Sequence, residues 1–511
     1  MGEAKRRAKG VVEGLAKALG VETAGGRIQV SWDANSAATP FGQLAFFIEF
    51  LTLTGLYPRW EAGCPLGYQG PNGSCVKDIL GTLFLAVLAG HRRYAHITTI
   101  RADGVMPGLL GMDKVVSEDT VRRALAAIAE EQGRQWLQEH LDASVRLLLA
   151  APWILDVDVT VKPLYGHQED AVLGYNPKKP GRPSHTYQMA GLRLVLGVAV
   201  EAGNLSHANT TLPGLLELID RLPADKRPRL VRGDMGFGNE PVLAGLEARA
   251  MPYLLKLRLT QNVKRYIERV FWSAGWEPAA QGWEGMPGQL TLTGWSRARR
   301  VVVLRRPLAG EVLLADESEQ MALAFIEAER PVKRYEYSVL VTDLPFAVPA
   351  LAQLYRDRAD SENAFDELKN QWGWGGFTTQ DLKRCRFAAL TVSLVYNWWS
   401  LFVRLANPTA RMEAITSRPF LLSAVARKTR HAGQEHLRIT PLHAKGHQAQ
   451  ALLTGINRLL HHWKQTAEQL TTRSVWQLAC EHLAAVVTGA NWLAPLQTAL
   501  YPPHRPVNRR I

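Results

Sequence analysis

The sequence LYRDRADSENAFDELK, residues 354–369, carries an unusual set of side chains at helical spacing. Tyr355, Arg358, Glu362 and Lys369 follow one another at intervals of three, four and seven residues. At about 100° per residue, these side chains fall within roughly a 60° arc of one helix face. An aromatic ring, a carboxylate and two cations make a poor core stripe. They suit the edge of an active site in which the carboxylate holds a metal and the cations hold phosphate, although a solvated helix face is the alternative.

Two stretches upstream place aspartates on predicted strands. Residues 153–160, WILDVDVT, alternate so that Asp156 and Asp158 share one strand face, and either could point into a site. A short strand, Arg229 to Gly233, ends at Asp234. Phosphoryl transfer on DNA uses divalent ions held by converging carboxylates, and hard ions such as Mg²⁺ prefer oxygen ligands. Alone, Asp234 is better explained as a surface turn residue.

The spacing Tyr-(2)-Arg-(3)-Glu-(6)-Lys resembles the YREK signature of DDE transposases from bacterial insertion sequences. The resemblance covers roughly residues 150–405 and implies an α/β fold with an RNase H-like catalytic core. In that family the first aspartate stands in an Asp-x-Thr context, as Asp158 does, and the second precedes a glycine and an aromatic, as Asp234 does. The resemblance therefore implies that Asp158, Asp234 and Glu362 are the catalytic residues and bind two divalent ions, Mg²⁺ or Mn²⁺. The Asp-x-Thr context favours Asp158 over Asp156.

The same resemblance assigns three residues of the signature, Tyr355, Arg358 and Lys369, to contacts with the transposon end near the scissile phosphate. Such contacts position the DNA and do not read its sequence. Arg358 could hold a phosphate with two hydrogen bonds, whereas Lys369 would act as a point charge.

A second basic stretch, residues 293–306, contains five arginines and no acidic residue. Strand alternation predicts that Arg297 and Arg299 share one face and contact the DNA backbone. Trp283 and Trp295 are candidates for stacking on a flipped base, and filling a small β core is an equally good explanation.

Length and charge agree with a large DNA-binding enzyme. The chain has 511 residues, a net charge of +13 and a pI near 9.6, which favours a polyanionic partner. We predict five regions: a helical N-terminal DNA-binding region at 1–150, a first part of the core at 151–270, a β-rich insertion at 271–330, a second part of the core at 331–405, and a helical basic C-terminal region at 406–511.

Two observations indicate a cytoplasmic, nucleoid-associated protein. The four cysteines are scattered and include no Cys-x-x-Cys pair, so neither a disulfide framework nor a zinc site is expected. The apolar stretch Phe387 to Val403 is nearly long enough to cross a bilayer, but it contains Asn397 and follows a basic turn. A buried helix packed behind the signature helix is the favoured interpretation.

We therefore predict a transposase that binds the terminal inverted repeats of its mobile element, cleaves them with a metal and transfers a 3′-OH to target DNA. Its partners would be double-stranded DNA at the transposon ends and the target, and pairing two ends would require a homodimer in the synaptic complex. The alternatives are an RNase H-like nuclease that acts on structured DNA without strand transfer, and an inactive DNA-binding derivative.

Overall fold

The computed structural model describes residues 18–33, 37–67, 73–150, 152–164, 168–173, 180–203, 207–308, 335–377, 380–440, 445–469 and 471–489. The strands are β1 Leu19–Thr23, β2 Gly26–Val30, β3 Ala37–Thr39, β4 Ile154–Pro163, β5 Gly181–Met189, β6 Leu194–Val200, β7 Leu230–Gly233, β8 Tyr253–Lys256, β9 Glu277–Pro278, β10 Glu284–Leu290, β11 Arg299–Pro307, β12 Tyr335–Thr342, β13 Ala426–His431 and β14 Gln434–Ile439.

The α-helices are α1 Leu44–Leu53, α2 Leu56–Ala62, α3 Val76–Leu88, α4 Met106–Leu109, α5 Glu118–Ala127, α6 Glu130–Val145, α7 His207–Arg221, α8 Glu240–Glu247, α9 Gln261–Phe271, α10 Val348–Arg356, α11 Ala359–Gln371, α12 Leu382–Ala406, α13 Ala414–Leu421, α14 Gly446–Gln469 and α15 Val475–Gly489. Short 3₁₀ helices span Tyr94–Ile100, Arg146–Ala150 and Ala224–Lys226. None of the helices described is both long and apolar enough to cross a membrane.

One nine-stranded sheet forms the centre of the molecule, in the order β6-β5-β4-β7-β8-β12-β11-β10-β9. β4 pairs antiparallel with β5 and parallel with β7, and β7 pairs parallel with β8. Helix α7 precedes β7 in the chain, and helix α8 connects β7 to β8. Parallel neighbouring strands need such crossover connections. This mixed sheet with its helices confirms the predicted α/β class and is consistent with an RNase H-like core.

The parallel register of β4 and β7 determines where the aspartates lie. Asp156 is opposite Arg232, and Val157 is opposite Gly233. The next residue in each strand direction is an aspartate, Asp158 in β4 and Asp234 just after β7. Both aspartates therefore lie at the same end of two neighbouring strands. Two carboxylates that are 76 residues apart in sequence (234 − 158 = 76) thus come to one edge of the sheet.

The segment predicted as a β-rich insertion is rich in strands, but these strands continue the main sheet. β11 pairs antiparallel with β12 over seven positions, from Val301↔Val341 to Pro307↔Tyr335, and β10 pairs with β11. Residues 309–334, which include the end of the predicted insertion, lie outside the described residues.

The two terminal regions differ from their helical predictions. β3 of the N-terminal region pairs with β13, and β13 pairs with β14, so both regions contribute to one three-stranded sheet. Arg427, Lys428 and Arg430 therefore lie in a hairpin strand within the region 406–511, which was predicted to be helical. In the N-terminal region, Ser117 caps α5, since its hydroxyl accepts the Thr120 N–H at 3.3 Å.

The buried-helix interpretation of Phe387 to Val403 is confirmed by α12, whose side chains are almost all buried. Asn397, the polar residue within it, is fully buried and pairs with the backbone of β6. Its Oδ1 accepts the Val195 N–H at 2.9 Å, and its Nδ2 donates to the Val195 carbonyl at 2.8 Å. The amide thus fastens α12 to the sheet, because both of its polar atoms are satisfied there.

A buried glutamate anchors α11 and gives folding stability a pH dependence. Glu367 accepts the Ala414 N–H at 3.0 Å and pairs with Arg411 at 2.7 Å, yet burial raises the pKa of its carboxyl to about 7. A raised pKa means that this group stabilises the fold most below the unfolded pKa of about 4.3, and that this contribution is lost as the pH rises through about 7.

We therefore expect Glu367→Gln to be less sensitive to pH than the wild type. We compare the free energy of unfolding of the variant with that of the wild type at each pH. This difference should be more favourable to the variant at pH 8 than at pH 4, by up to about 3 kcal/mol. Denaturant unfolding of both proteins at the two pH values measures this. Equal pH dependence in the two proteins would show that Glu367 does not titrate in this range.

Candidate active site

The signature segment forms two helices that meet at Asp357 and Arg358, where one continuous helix was predicted. Tyr355 lies in the last turn of α10, and Arg358 is the N-cap of α11. Both junction residues keep right-handed helical dihedrals, and the Arg358 N–H bonds to the Tyr355 carbonyl at 3.0 Å, a 3₁₀-type contact. The tighter turn places the Arg358 side chain against the sheet.

Arg358 joins two of the predicted catalytic carboxylates. Its guanidinium is buried, with Nη2 at 3.5 Å from Asp158 Oδ1 and Nη1 at 2.9 Å from Glu362 Oε1. The Asp158 side chain is 18% exposed, whereas that of Glu362 is 62% exposed. Burial by itself lowers the pKa of Arg358, but the surrounding Tyr355 and aspartates raise it overall, so the arginine stays charged.

Asp158 and Asp234 interact electrostatically at the edge of the sheet. Burial raises the pKa of Asp158 to about 6, and the charge of Asp234 adds to this increase, while Arg358 opposes it. Each carboxylate also accepts a local backbone N–H: Asp158 Oδ1 from Val159 at 2.8 Å, and Asp234 Oδ1 from Gly236 at 2.9 Å. The pair is therefore oriented by its own backbone, and the charges of Arg358 and Lys369 lower the pKa of Asp158.

Asp156, the alternative first aspartate, has a structural role. Its two carboxylate oxygens each lie 2.7 Å from the Arg232 guanidinium, and Ser361 of α11 donates a further hydrogen bond. The side chains of the pair are 1% and 2% exposed. A carboxylate with both oxygens bound in this way is closed to a ligand, which favours Asp158 as the residue that faces the site.

Among the described residues, the three predicted carboxylates do not form one compact cluster. Within the described ranges, no three His, Cys, Asp or Glu side chains come together as a group that could hold a metal ion. Asp158 and Asp234 approach each other, and Glu362 is connected to Asp158 only through Arg358. The donor set of Asp158 and Asp234 consists of oxygen alone, which suits a hard cation such as Mg²⁺.

The two outer residues of the signature face the same site. Burial raises the pKa of Tyr355, the charge of Arg358 lowers it, and the charges of Asp234 and Glu362 raise it, so Tyr355 interacts electrostatically with these groups. Lys369 is exposed on α11 and lowers the pKa of Asp158. Tyr355, Arg358 and Lys369 thus interact electrostatically with the aspartate pair, and Glu362 is paired with Arg358.

The prediction that Arg297 and Arg299 form a phosphate-binding strand face was wrong. Arg299 is 3% exposed, with Nη1 at 2.5 Å from Glu240 and Nε at 2.7 Å from Glu247, and its guanidinium lies over the Trp295 ring. Arg297 precedes β11 and pairs with Glu247 at 2.9 Å. The glutamates come from α8, and nothing in the local sequence indicated this neighbour.

We expect Arg299→Gln to destabilise the protein without altering its DNA binding. Glu240 and Glu247 would lose a buried partner, and breaking such a pair costs about 3–5 kcal/mol. Thermal unfolding should therefore shift markedly. Arg297→Gln is the matched control, because the Arg297 side chain is 58% exposed and its loss should change stability little. A weakened DNA affinity with unchanged stability in Arg299→Gln would contradict this assignment.

Comparison with known families decides the identity. The model of the family described as "Transposase DDE domain group 1" matches residues 74–461, which is most of the chain. The chain belongs to the DDE transposase family. This DDE transposase is therefore an enzyme that cleaves DNA and transfers strands.

Other comparisons are weaker. A solved structure described as "Cryo-EM structure of piggyBac transposase synaptic complex with hairpin DNA (SNHP)" is similar to this transposase with a TM-score of 0.36 and 10% identity. The similarity covers 89% of this chain and 88% of the other. No curated protein matches the chain.

Proposed function

We propose that this DDE transposase belongs to the YREK group of bacterial insertion sequences and acts on the terminal inverted repeats of its own element. The observation that carries the proposal is the meeting of Asp158 and Asp234 at one end of adjacent parallel strands, with Arg358 connecting Asp158 to Glu362. Two neighbouring carboxylates beside the buried guanidinium of Arg358 suit a reaction at a phosphodiester.

Asp158 and Asp234 would hold the divalent cation, and Glu362 would complete the set. Glu362 is the most exposed of the three, so it is free to change partner when DNA and metal bind. When bound there, two divalent ions such as Mg²⁺ or Mn²⁺ would activate water and stabilise negative charge on the phosphate.

The chain's own side chains would position the DNA. Arg358 is buried and already faces Asp158, so it would hold the scissile phosphate against the aspartates and leave Glu362 as it does so. The Tyr355 hydroxyl would donate a hydrogen bond, since burial and the neighbouring acids raise its pKa and keep it protonated. Lys369 would hold the next phosphate as a point charge.

The active complex would contain two copies of the chain and two transposon ends, because joining both ends to a target requires a catalytic site for each. Target DNA would be the third component. We place the reaction in the cytoplasm, at the nucleoid.

Cleavage and strand transfer on a labelled duplex that carries the DNA flanking the coding sequence test the proposal. With Mg²⁺ or Mn²⁺, we expect nicking at the end and joined products in the wild type, and loss of both in Glu362→Gln. Asp366→Asn is the matched control, because this exposed acid lies on the same helix and its Oδ1 accepts a hydrogen bond from Asn370 Nδ2 at 2.6 Å. Cleavage that ignores the end sequence and joins no strands would favour a nuclease, and specific binding without cleavage would favour an inactive binder.

A further inference from the structure

A cleft of about 590 Å³ lies next to the catalytic aspartates, where β4 passes α11. Its walls are formed by Arg92 and Arg93, just before the 3₁₀ helix Tyr94–Ile100, by the end of β4 and the residues that follow it, by Ser184 of β5, and by Lys369 with the turn Gly373–Gly376 after α11. Its described lining residues include four cations, Arg92, Arg93, Lys162 and Lys369, and no carboxylate. Uncompensated positive charge of this density favours a polyanionic occupant.

The cleft continues the active site along β4. Asp158, Thr160 and Lys162 alternate onto one face of the strand, and at 3.3 Å per residue Lys162 lies about 13 Å beyond Asp158. That distance corresponds to a few nucleotides of a DNA strand. Lys369 belongs to both places, because it lines the cleft and lowers the pKa of Asp158.

The walls of the cleft are fixed by close backbone contacts. Gly373 has a φ of +63°, and a Cβ at this position would lie 2.5 Å from the His91 carbonyl oxygen. A Cβ at Gly376 would lie 2.2 Å from the Arg92 carbonyl oxygen, which also accepts the Phe377 N–H at 2.8 Å. Only glycine permits this approach, so the turn after α11 is docked on the N-terminal region before any ligand arrives.

Three of the four cations are available to a ligand. The Arg92 guanidinium donates to the Asn370 carbonyl and helps to hold the turn. Within the described part of the chain, Arg93, Lys162 and Lys369 form no ion pair. Burial lowers the pKa of Lys162, the neighbouring Cys385 opposes this decrease, and the charge of Arg93 lowers the pKa further. The Trp374 indole N–H is buried and has no hydrogen-bond partner among these residues either.

We propose that this cleft is a phosphate-binding subsite for the DNA strand that leads to the catalytic aspartates, with Arg93, Lys162 and Lys369 as its phosphate ligands. The proposal rests on the proposed function for its choice of DNA as the source of phosphate. It assigns phosphate contacts with this DNA strand to two residues outside the YREK signature, Arg93 and Lys162. It also gives the N-terminal region a direct part in positioning the reacting DNA.

The salt dependence of duplex binding tests the subsite independently of catalysis. Each phosphate contact contributes about 0.9 to the slope of log K against log salt concentration, so Arg93→Gln and Lys162→Gln should each lower the slope by about 0.9. Lys464→Gln is the matched control, because this lysine is 46% exposed on α14 and far along the chain from the cleft. Lys162→Arg should keep the wild-type slope, which separates loss of charge from loss of fold.

A neutral phosphate at one position locates the contact. A series of duplexes, each with a single methylphosphonate, should show a position a few nucleotides from the cleaved end where wild-type affinity falls. Arg93→Gln should be insensitive to that replacement. Wild-type slopes in both variants, or equal sensitivity of Arg93→Gln to every replacement, would overturn the subsite. A wild type that binds duplex but never cleaves it would instead overturn the proposed function and leave the slope test intact.

Discussion

Asp158→Asn is expected to remove DNA cleavage and strand transfer while the protein stays folded. Loss of one charge-stabilising group from an active site reduces the rate by roughly a hundredfold to a thousandfold, and a metal ligand should lie at the upper end of that range. Duplex binding should be retained or slightly stronger, because a negative charge facing the DNA is lost. Product formation on a labelled duplex, with binding measured on the same molecule, provides both readouts.

Stability distinguishes this catalytic role from a structural one. Burial raises the pKa of Asp158 to about 6, so its contribution to stability is present below the unfolded pKa of about 3.9 and is lost as the pH rises through about 6. At pH 8 without metal, the asparagine variant should therefore be more stable than the wild type, by at most about 3 kcal/mol. Wild-type cleavage by Asp158→Asn, or loss of activity together with unfolding, would contradict the assignment.

Asp156→Asn is expected to have the opposite profile, although Asp156 lies two residues away on the same strand face. Its carboxylate pairs through both oxygens with Arg232, and both side chains are almost fully buried. Breaking a buried ion pair costs about 3–5 kcal/mol, because the remaining charge has no partner in a medium of low dielectric constant. Denaturant unfolding should show this loss, and cleavage per folded molecule should stay near the wild-type rate.

The double variant Asp156→Asn/Arg232→Met is the control for that interpretation. Removing the unpaired guanidinium should recover part of the lost stability, because a well-packed apolar side chain carries no desolvation cost. If the single variant Asp156→Asn were stable but inactive, Asp156 would be the metal-facing residue and the assignment of Asp158 would be wrong.

Local patterns in the sequence were sufficient to predict the strand and the helices that contain the proposed catalytic residues. Period-two alternation placed Asp158 on a strand, and the helical spacing of Arg358 and Glu362 placed them on neighbouring turns. The same reasoning failed for Arg299. Alternation describes one strand, and whether an arginine faces solvent or the glutamates of α8 depends on a helix about 50 residues earlier (299 − 247 = 52).

The sequence by itself determined the family signature, the α/β class and the two strands that bear the aspartates, because each depends on residues that are close in the chain. Only the tertiary structure showed that Asp156 is paired with Arg232 of the neighbouring strand β7, which adds to the preference for Asp158 that the Asp-x-Thr context had given. Tertiary contacts also brought Arg93 and Lys162 to one cleft and placed the strands after residue 271 in the main sheet. Local propensity carries no information on such pairings, because they are fixed by backbone hydrogen bonds and packing between distant segments.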